Sequence, residues 1–339
     1  MTSKRPTQAD VARLAGVSRP LVSLVVRGDP KVSPERRAAV EKAMADLGYR
    51  ANAAARALAR NGSNLIGVVL PGLANLFHGE VAEALRAAAD DGGYVPLLVP
   101  ISEDADREVA AIESFLELRV AGLILLSPLL DMATLATYGA LVPTVVLTRN
   151  QAPGNVDLVR SDDRPNAAMV TNHLLERGYR PVSFVGYDRP AEGDSSQSRR
   201  DGYLDALKPT GLPARMLTAR HDSAGGTQIE GLDELLVPGA GVVCHNDRIA
   251  SLVVSRLESL DLRAGVDVGV AGFDNTSLTH VPGASITSVD PDATAIARTA
   301  VELLASRAAG RTAQADAVIP ASLISRASTA GPVSSYRPS

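Results

Sequence analysis

The chain has 339 residues, of which 45% are hydrophobic and 21% charged, so it can bury a large core and is long enough for two or three domains. No apolar run approaches the roughly 18 residues of a membrane helix, and the N-terminus MTSKRPTQAD lacks a signal-peptide pattern, so we expect a soluble cytoplasmic protein with no membrane partner. The single cysteine, Cys244, excludes an intramolecular disulfide and a cysteine-cluster metal site, and its apolar neighbours predict a buried strand position.

The charge is divided unevenly along the chain. Residues 1–62 contain twelve Lys or Arg and five Asp or Glu, a balance of +7; since the whole chain carries −4, the remainder carries −11. A basic end on an acidic body is typical of a protein that holds nucleic acid at one end only. An uneven scatter of solvated charge is the alternative explanation.

The stretch from Thr7 to Gly28 has the pattern of a helix-turn-helix. Apolar residues recur at helical spacing on both sides of a turn at Gly16. Ser18 is placed to cap the second helix, and Pro20 lies in its first turn, where a missing N–H costs little. The residues after such a cap are those that a recognition helix presents to base edges, although structural helix hairpins share this spacing.

A third helix is predicted to begin with Ser33 as its cap and Pro34 as its first residue. The sequence blocks ADVARLAGVS, VSPERRAAVEKAMADLGY and N-x-x-A-R-x-L follow one another within residues 9–58. In their order and spacing these blocks resemble the three-helix DNA-binding head and hinge of the lactose-repressor (LacI/GalR) family of bacterial transcription regulators.

The resemblance implies a helix-turn-helix DNA-binding domain over residues 1–50, followed by a hinge helix and linker over 51–62. It also implies a homodimer, whose two-fold symmetry requires a near-palindromic double-stranded DNA operator. The residues expected to contact DNA are Thr7, Ser18, Arg19, Pro20, Ser23, Arg27, Ser33, Asn52, Ala55, Arg56 and Leu58.

The hinge segment Asn52–Arg60 contains strong helix formers, but roughly nine residues are too few for a stable isolated helix. We expect it to become helical only on operator DNA. By resemblance, Leu58 is then the wedge pushed into the minor groove, with Ala55 small enough for close approach. A passive Ala-rich linker is the alternative.

Four positions depart from the family pattern. Pro20 and Leu24 stand where many relatives carry side chains that read DNA, which leaves Arg19 as the main donor for a bidentate base contact. Ala51 replaces the usual proline at the start of the hinge. Asp222 falls where relatives often place an aromatic residue near the sugar, which weakens the case for a hexose stacked on a ring.

From Ser63 onward, short apolar runs alternate with amphipathic segments, a pattern that indicates parallel sheets wound in βαβ units. The first series of strands comprises NLIGVVLP, VPLLVP, AGLILLS and PTVVLT. A second series, after about Ser161, has predicted strands at 182–187, 214–219, 241–245 and 268–273 and helices at 166–178, 196–207, 226–236 and 247–260. We predict an α/β protein whose helix-turn-helix head precedes a two-lobed, periplasmic-binding-protein-like core of doubly wound parallel sheets over 63–330.

A helix at 292–309 and a strand near 317–320 are left over by this pattern. In the family the chain crosses back to complete the first lobe. The resemblance therefore implies an N-subdomain of about 63–161 with 290–320 and a C-subdomain of about 162–289. The tail 331–339 is expected to be disordered and shows no leucine heptad.

Folds of this kind bind ligands at the carboxyl ends of their strands, so the loops there are candidate effector contacts. By resemblance, Arg199, Asn246 and Asp274 line the cleft, a set suited to vicinal hydroxyls or to an anionic group. The full set of expected effector contacts is Asn75, Phe77, His78, Thr148, Arg149, Arg199, Asn246, Phe273 and Asp274. Asp247 and Asn275 also follow strands, but helix capping explains these two residues as well as an effector contact does. Core packing likewise is an alternative explanation for Phe77.

These observations predict a sequence-specific transcription regulator, in the first instance a repressor, whose operator affinity is controlled by a small polar effector. A sugar is the first expectation; a nucleobase, a sugar phosphate or another metabolite acting as co-repressor is the alternative. No catalytic motif is found and the five histidines lack metal-ligand spacing, so no enzyme, metal or cofactor is predicted. A sugar-binding receptor would need a signal peptide, and a sugar-modifying enzyme a placed acid–base pair.

Overall fold

The computed structural model describes residues 6–27, 29–49, 63–102, 104–187, 195–221, 226–280 and 285–331. The predicted hinge residues Asn52, Ala55, Arg56 and Leu58, position 222 and the tail from 332 lie outside these ranges, so what was predicted for them stays a prediction. The chain divides into two compact units, residues up to 65 with 115–121 and the remainder, each described by itself below. Within the described ranges, none of the helices combines the length and the apolar character that crossing a bilayer requires.

The described part of the first unit contains three short helices, α1 (Gln8–Ala15), α2 (Arg19–Arg27) and α3 (Pro34–Asp46). Val11, Val22 and Val40, one from each helix, are fully buried in a common core. Helices this short are marginal alone in water, so the shared apolar core stabilises them. The predicted helix-turn-helix and third helix are confirmed.

Local hydrogen bonds fix the ends of these helices. Thr7 and Asp10 form a capping box, in which Thr7 N donates to the Asp10 carboxylate at 2.9 Å and Asp10 N donates to Thr7 Oγ1 at 3.4 Å. Ser18 Oγ accepts from Leu21 N at 3.4 Å, as expected for the start of α2. Gly16, with φ of 65°, makes the left-handed turn between α1 and α2. Ser33 is the N-cap residue of α3 and Pro34 its first residue, as predicted, although the Ser33 side chain makes no capping hydrogen bond.

The described strands of the second unit form two sheets. The first sheet is flanked by helices α4 (Leu76–Asp91), α5 (Ala105–Glu117), α6 (Met132–Leu141) and α10 (Ala293–Ala308). Its strands are β1 (Leu65–Leu70), β2 (Val95–Pro100), β3 (Gly122–Leu126), β4 (Thr144–Leu147), β5 (Asp157–Ser161) and β12 (Asp316–Ile319), in the order β12-β5-β4-β3-β1-β2. Because β12 pairs in parallel with β5, the expected return of the chain to the first sheet is confirmed.

The second sheet is flanked by helices α7 (Asp163–Glu176), α8 (Ser195–Leu207) and α9 (Asp247–Ser259). Its strands are β6 (Val182–Tyr187), β7 (Met216–His221), β8 (Thr227–Ile229), β9 (Gly241–Cys244), β10 (Gly269–Phe273), β11 (Thr287–Asp290) and β13 (Ser322–Ile324), in the order β13-β11-β10-β9-β6-β7-β8. The five central strands are parallel, whereas β8 and β13 pair antiparallel at the two edges.

Alternate residues of the central strands pack on opposite faces of the second sheet. Val242 and Cys244 join the cluster under α9, while Val243, between them, joins the cluster under α7 and α8. Both faces are therefore covered, which explains why the strand sequences are continuously apolar. The predicted burial of Cys244 is confirmed, since it has no exposed surface.

Four segments differ from the sequence prediction. Residues 226–236 were predicted to form a helix, but 227–229 form β8 and 232–234 form a single 3₁₀ turn. Leucines at helical spacing suggested the helix, whereas Gly231, at φ of 72°, interrupts it and β8 pairs with β7. Strands β5, β11 and β13 were not predicted, because their polar residues break the apolar pattern.

Candidate functional site

The candidate site lies where strands of both sheets in the second unit end. Asn75 follows β1 and Thr148 follows β4 in the first sheet, while Asn246 follows β9 and Asp274 follows β10 in the second. In open α/β sheets, ligands bind beyond the carboxyl ends of the strands, close to the point where strand order reverses. The structure places these predicted side chains at such ends.

The Arg199 guanidinium is held on several sides. Its Nε donates to Asp163 Oδ1 at 2.8 Å, and its Nη1 donates to the carbonyl oxygen of His245 at 2.5 Å. The guanidinium carbon lies 4.3 Å from the ring centre of Phe273, a cation–π contact. Nη2 lies 3.7 Å from Asp274 Oδ1. This cation is therefore fixed in place with one nitrogen directed towards Asp274.

Asp274 brings the two sheets together. Its carboxylate is buried, and the side chain of Asn75, from the loop after β1, is close enough to lower its pKa. Asn75 Oδ1 also caps α4 by accepting from Phe77 N at 3.2 Å. Burial raises the pKa of Asp274 to about 6, although Arg199 and Asn75 both act to lower it. The charges of Asp163 and Glu80 raise the same pKa further. Arg199, Phe273, Asp274 and Asn75 thus form one cluster.

Two more hydrogen bonds connect the first sheet's loops and helices to those of the second. Asn150 Nδ2 donates to Ser198 Oγ at 2.6 Å, one residue before Arg199. The backbone N of Ser277 donates to Glu80 Oε1 at 2.9 Å. None of these four residues was predicted to lie at the site.

Thr148 and Arg149 follow β4 and so belong to the first sheet's part of the candidate site. Thr148 Oγ1 is 2.5 Å from Ser127 Oγ, so the loops after β3 and β4 are joined by their hydroxyls. Arg149 is almost fully buried, and its Nη1 donates to the carbonyl oxygen of Leu130 at 2.7 Å. Arg149 therefore supports the loop after β3, and an effector contact for either residue stays a prediction.

Three further predicted contacts have local structural roles. Asn246 caps α9, since its Oδ1 accepts from Ile249 N at 3.0 Å. His78 Nδ1 lies 2.8 Å from the carbonyl oxygen of Gly72, and Phe77 is buried. The structural explanation of Phe77 as a core residue therefore agrees with its burial. Effector contacts by these residues remain predictions.

The sequence prediction missed Asp163, the buried carboxylate that binds Arg199. Asp163 begins α7 shortly after β5, and because β5 was not predicted, the sequence did not indicate a strand end at this position. The polar residues that interrupt the apolar pattern of β5 form ion pairs. Asp157 accepts from Arg307 and Arg311, and Arg160 pairs with Asp316.

The predicted DNA contacts of the first unit lie mostly at its surface. Thr7, Ser18, Arg19, Pro20 and Ser33 are exposed, and Ser23 is half-buried. Ser18, Arg19 and Pro20 form the start of α2, where side chains of a recognition helix would reach base edges. The side chain of Arg27 lies outside the described part of the chain, so its contact stays a prediction.

Comparison with known proteins gives matches along nearly the whole chain. Residues 7–52 match the model for bacterial regulatory proteins of the lacI family, and residues 171–329 match the model for a periplasmic binding protein-like domain. The HTH-type transcriptional regulator GalR of Escherichia coli (strain K12) is 31% identical over 312 residues, which cover 90% of each chain.

Solved structures agree with this match. The lac repressor dimer bound to operator and the anti-inducer ONPF superposes with a TM-score of 0.79 at 25% identity, over 96% of this chain and 99% of that one. The transcriptional regulator CelR in complex with cellobiose superposes with a TM-score of 0.67 at 25% identity, over 96% of this chain and 100% of that one.

A capped, exposed recognition helix in one unit and a two-sheet binding fold in the other define a class of protein, the DNA-binding regulator with a small-molecule-binding domain. The similarity to GalR extends along both units. The chain belongs to the lacI family of bacterial regulatory proteins, and it is a DNA-binding transcriptional regulator.

Proposed function

We propose that this regulator is a repressor controlled by a neutral, polyhydroxylated effector, a sugar, bound beside Arg199, Asp274 and Asn75. The observation that carries the proposal is the arrangement of these three groups at the strand ends of both sheets. A fixed guanidinium donates hydrogen bonds, a carboxylate accepts them and an amide does both, so the set complements neighbouring hydroxyl groups. The cellobiose complex of the structurally similar CelR supports a sugar as the effector class.

The charges around Asp274 favour a neutral effector over an anionic one. Asp163, Glu80 and Asp274 each carry a carboxyl group, and among the described residues the cation paired with Asp274 is Arg199. A phosphate group here would add negative charge beside the carboxyl groups of Asp163, Glu80 and Asp274, and buried like charges repel strongly. We therefore favour a neutral sugar over a sugar phosphate as the effector.

We propose further that the working form is a homodimer that binds a near-palindromic operator in the cytoplasm and has no enzymatic turnover. The edge strand β2 of the first sheet supports this, because Val95 and Leu98 are 46% and 39% exposed on it. An exposed apolar sheet edge favours association, so we expect a second copy of the chain to pack against β2. Turnover assays on the sugars tested for binding check the last point.

The test is a thermal-shift screen with D-glucose, D-ribose and cellobiose against glucose 6-phosphate, ribose 5-phosphate and adenine. A ligand that binds only the folded state raises the melting temperature by mass action. Arg199→Ala and Asp274→Ala should each weaken binding of the sugar that shifts wild type by about 10- to 100-fold, since each removes hydrogen bonds to a charged group. Both variants should still bind operator.

The matched control is Arg256→Ala, which removes an exposed arginine paired with Asp233. It should behave as wild type in the screen, because exposed pairs contribute little. A shift produced by the phosphates and not by the neutral sugars would contradict the proposed effector class. Unchanged sugar binding in both site variants would contradict the proposed site.

A further inference from the structure

The loop that carries Asp274 has an unusual backbone conformation. Asp274 has φ of 94° and its neighbour Asn275 has φ of 48°. Positive φ is costly for residues other than glycine and persists only where surrounding contacts hold it. The direction of the Asp274 carboxylate therefore depends on whatever fixes residues 274–276.

The Asp247 side chain supplies those contacts. Its Oδ2 accepts from the backbone N of Thr276 at 2.7 Å and from Thr276 Oγ1 at 3.0 Å. Its Oδ1 accepts from Ser288 Oγ at 2.6 Å, and Ser288 Oγ in turn accepts from the backbone N of Asn275 at 3.0 Å. One carboxyl group thus holds two successive backbone amides of the loop, that of Thr276 directly and that of Asn275 through Ser288.

The surroundings of Asp247 are built around this carboxyl group. Asp247 and Thr276 are each 1% exposed, and Ser288 has no exposed surface. A Cβ atom on Gly272 would lie 2.6 Å from Asp247 Oδ1, so the glycine leaves the space that the carboxyl group occupies. A buried carboxyl group that accepts from three donors holds a fixed geometry.

We propose that Asp247 is a positioning residue for effector binding, which sets the direction of Asp274 through Thr276 and Ser288 without touching the effector. The inference rests on the proposed function, in which Asp274 binds the effector. One short segment then orients both charged groups of the site: the His245 carbonyl oxygen holds Arg199, and Asp247, two residues later, holds the Asp274 loop.

The test uses the full-length variants Asp247→Ala, Asp247→Asn and Ser288→Ala. Asparagine keeps an oxygen that can accept from Thr276, and its amide can donate to Ser288 Oγ, so both connections survive the loss of charge. Alanine removes both connections, and Ser288→Ala removes only the one to Asn275. Asp233→Ala, which removes an exposed carboxylate, is the control.

The first readout is amide hydrogen exchange over residues 274–280 in the free protein. Asp247→Ala should speed exchange of the Asn275 and Thr276 amides by about tenfold or more, because each loses its buried acceptor or the anchor of that acceptor. Asp247→Asn should stay within about threefold of wild type. Ser288→Ala should speed exchange at Asn275 and leave Thr276 protected.

The second readout is the thermal shift given by D-ribose, D-glucose and cellobiose, each at about 10 mM. Asp247→Ala should lose most of the shift that wild type shows, whereas Asp247→Asn and Asp233→Ala should retain it. This rescue by asparagine separates positioning by hydrogen bonds from general loss of structure.

The outcomes are distinguishable. If exchange in Asp247→Ala matches wild type, or if Asp247→Asn exchanges as fast as Asp247→Ala, the positioning role is overturned. If Asp247→Ala does not fold, Ser288→Ala decides, and its Asn275 amide exchanging at the wild-type rate overturns the role. If none of the three sugars shifts wild type, the proposed sugar effector fails, while amide exchange still decides the role of Asp247.

Discussion

Glu108 is a carboxyl group buried beneath the loop that follows β3. It has no exposed surface, and its Oε2 accepts from the backbone N of Leu129 at 2.8 Å. Its Oε1 accepts no hydrogen bond from any residue in the described ranges. Burial raises the pKa of Glu108 from 4.5 to about 7, although the nearby charge of Arg149 acts to lower it. A buried acid of this kind prefers its neutral form.

This preference makes a contribution to stability that depends on pH. Between the unfolded pKa of 4.5 and the folded pKa of about 7, the folded protein binds more protons at Glu108 than the unfolded protein does. The free energy of unfolding therefore falls as pH rises through this window. The stabilising contribution is fully present below pH 4.5 and lost above about pH 7.

We expect Glu108→Gln, which mimics the neutral acid, to remove this dependence. At pH 8 the variant should be more stable than wild type by about 1–3 kcal/mol, and at pH 5 the two should differ little. Chemical denaturation at both pH values measures the difference. Parallel stability of variant and wild type across this range would show that the Glu108 carboxyl does not titrate as described.

At the scale of elements, the start of α2 combines a capped helix with exposed side chains. Ser18 accepts from Leu21 N, so the first turn is held while Arg19 and Pro20 face solvent. Pro20 offers no donor, which leaves Arg19 as the long donor at this end of α2. Arginine can donate two hydrogen bonds to O6 and N7 of guanine in the major groove.

Arg19→Ala should therefore relax base preference at one operator position in each half-site and cost about 1–3 kcal/mol of binding free energy. The matched control is Arg36→Ala on α3, also exposed, which should alter affinity without altering the preferred sequence. Selection from random DNA followed by sequencing measures both. The same consensus from the Arg19 variant and from wild type would show that another residue reads that base.

The elements that sequence predicted best are those whose local pattern agrees with their burial. Strands β1, β3, β4, β9 and β10 are continuous apolar runs because both faces of their sheets are covered. Strand β5 escaped prediction because Asp157 and Arg160 interrupt its run, and their partners Arg307, Arg311 and Asp316 lie about 150 residues away. Pairing at that sequence distance leaves no local pattern.

In the candidate site, too, residues with a local sequence pattern were predicted and residues that depend on distant contacts were not. Arg199, Asp274 and Asn75 were predicted from family motifs and strand ends, and the structure brings them together. The groups that orient them, Asp163 and Asp247, depend on tertiary contacts that no spacing encodes. Asn246 was also predicted as an effector contact, and its side chain caps a helix, as that of Asn75 does.

At the scale of the whole molecule, the two edges of the first sheet differ in what they offer a partner. Strand β2 forms one edge and exposes Val95 and Leu98, with Leu73 also exposed in the loop after β1. Strand β12 forms the opposite edge, where Arg160 of β5 pairs with Asp316 and a single large apolar residue, Val318, is exposed. Charge at a sheet edge discourages association, and apolar side chains favour it. The proposed dimer therefore uses the edge at β2.

The last prediction compares Leu98→Lys on β2 with Val318→Lys on β12, two substitutions at positions 39% and 45% exposed. Burying an unpaired lysine is costly, so Leu98→Lys should convert a dimer of about 70 kDa, twice the 35.3 kDa of one chain, into monomer. Because two linked heads bind two half-sites far more tightly than one head binds one, operator affinity should fall by about 100-fold or more. Val318→Lys should leave both properties as in wild type. Sedimentation velocity at micromolar protein and operator titration measure the two effects. A Leu98→Lys protein that remains dimeric would move the interface away from β2, and a wild-type chain that sediments as a monomer at every concentration would contradict the dimer itself.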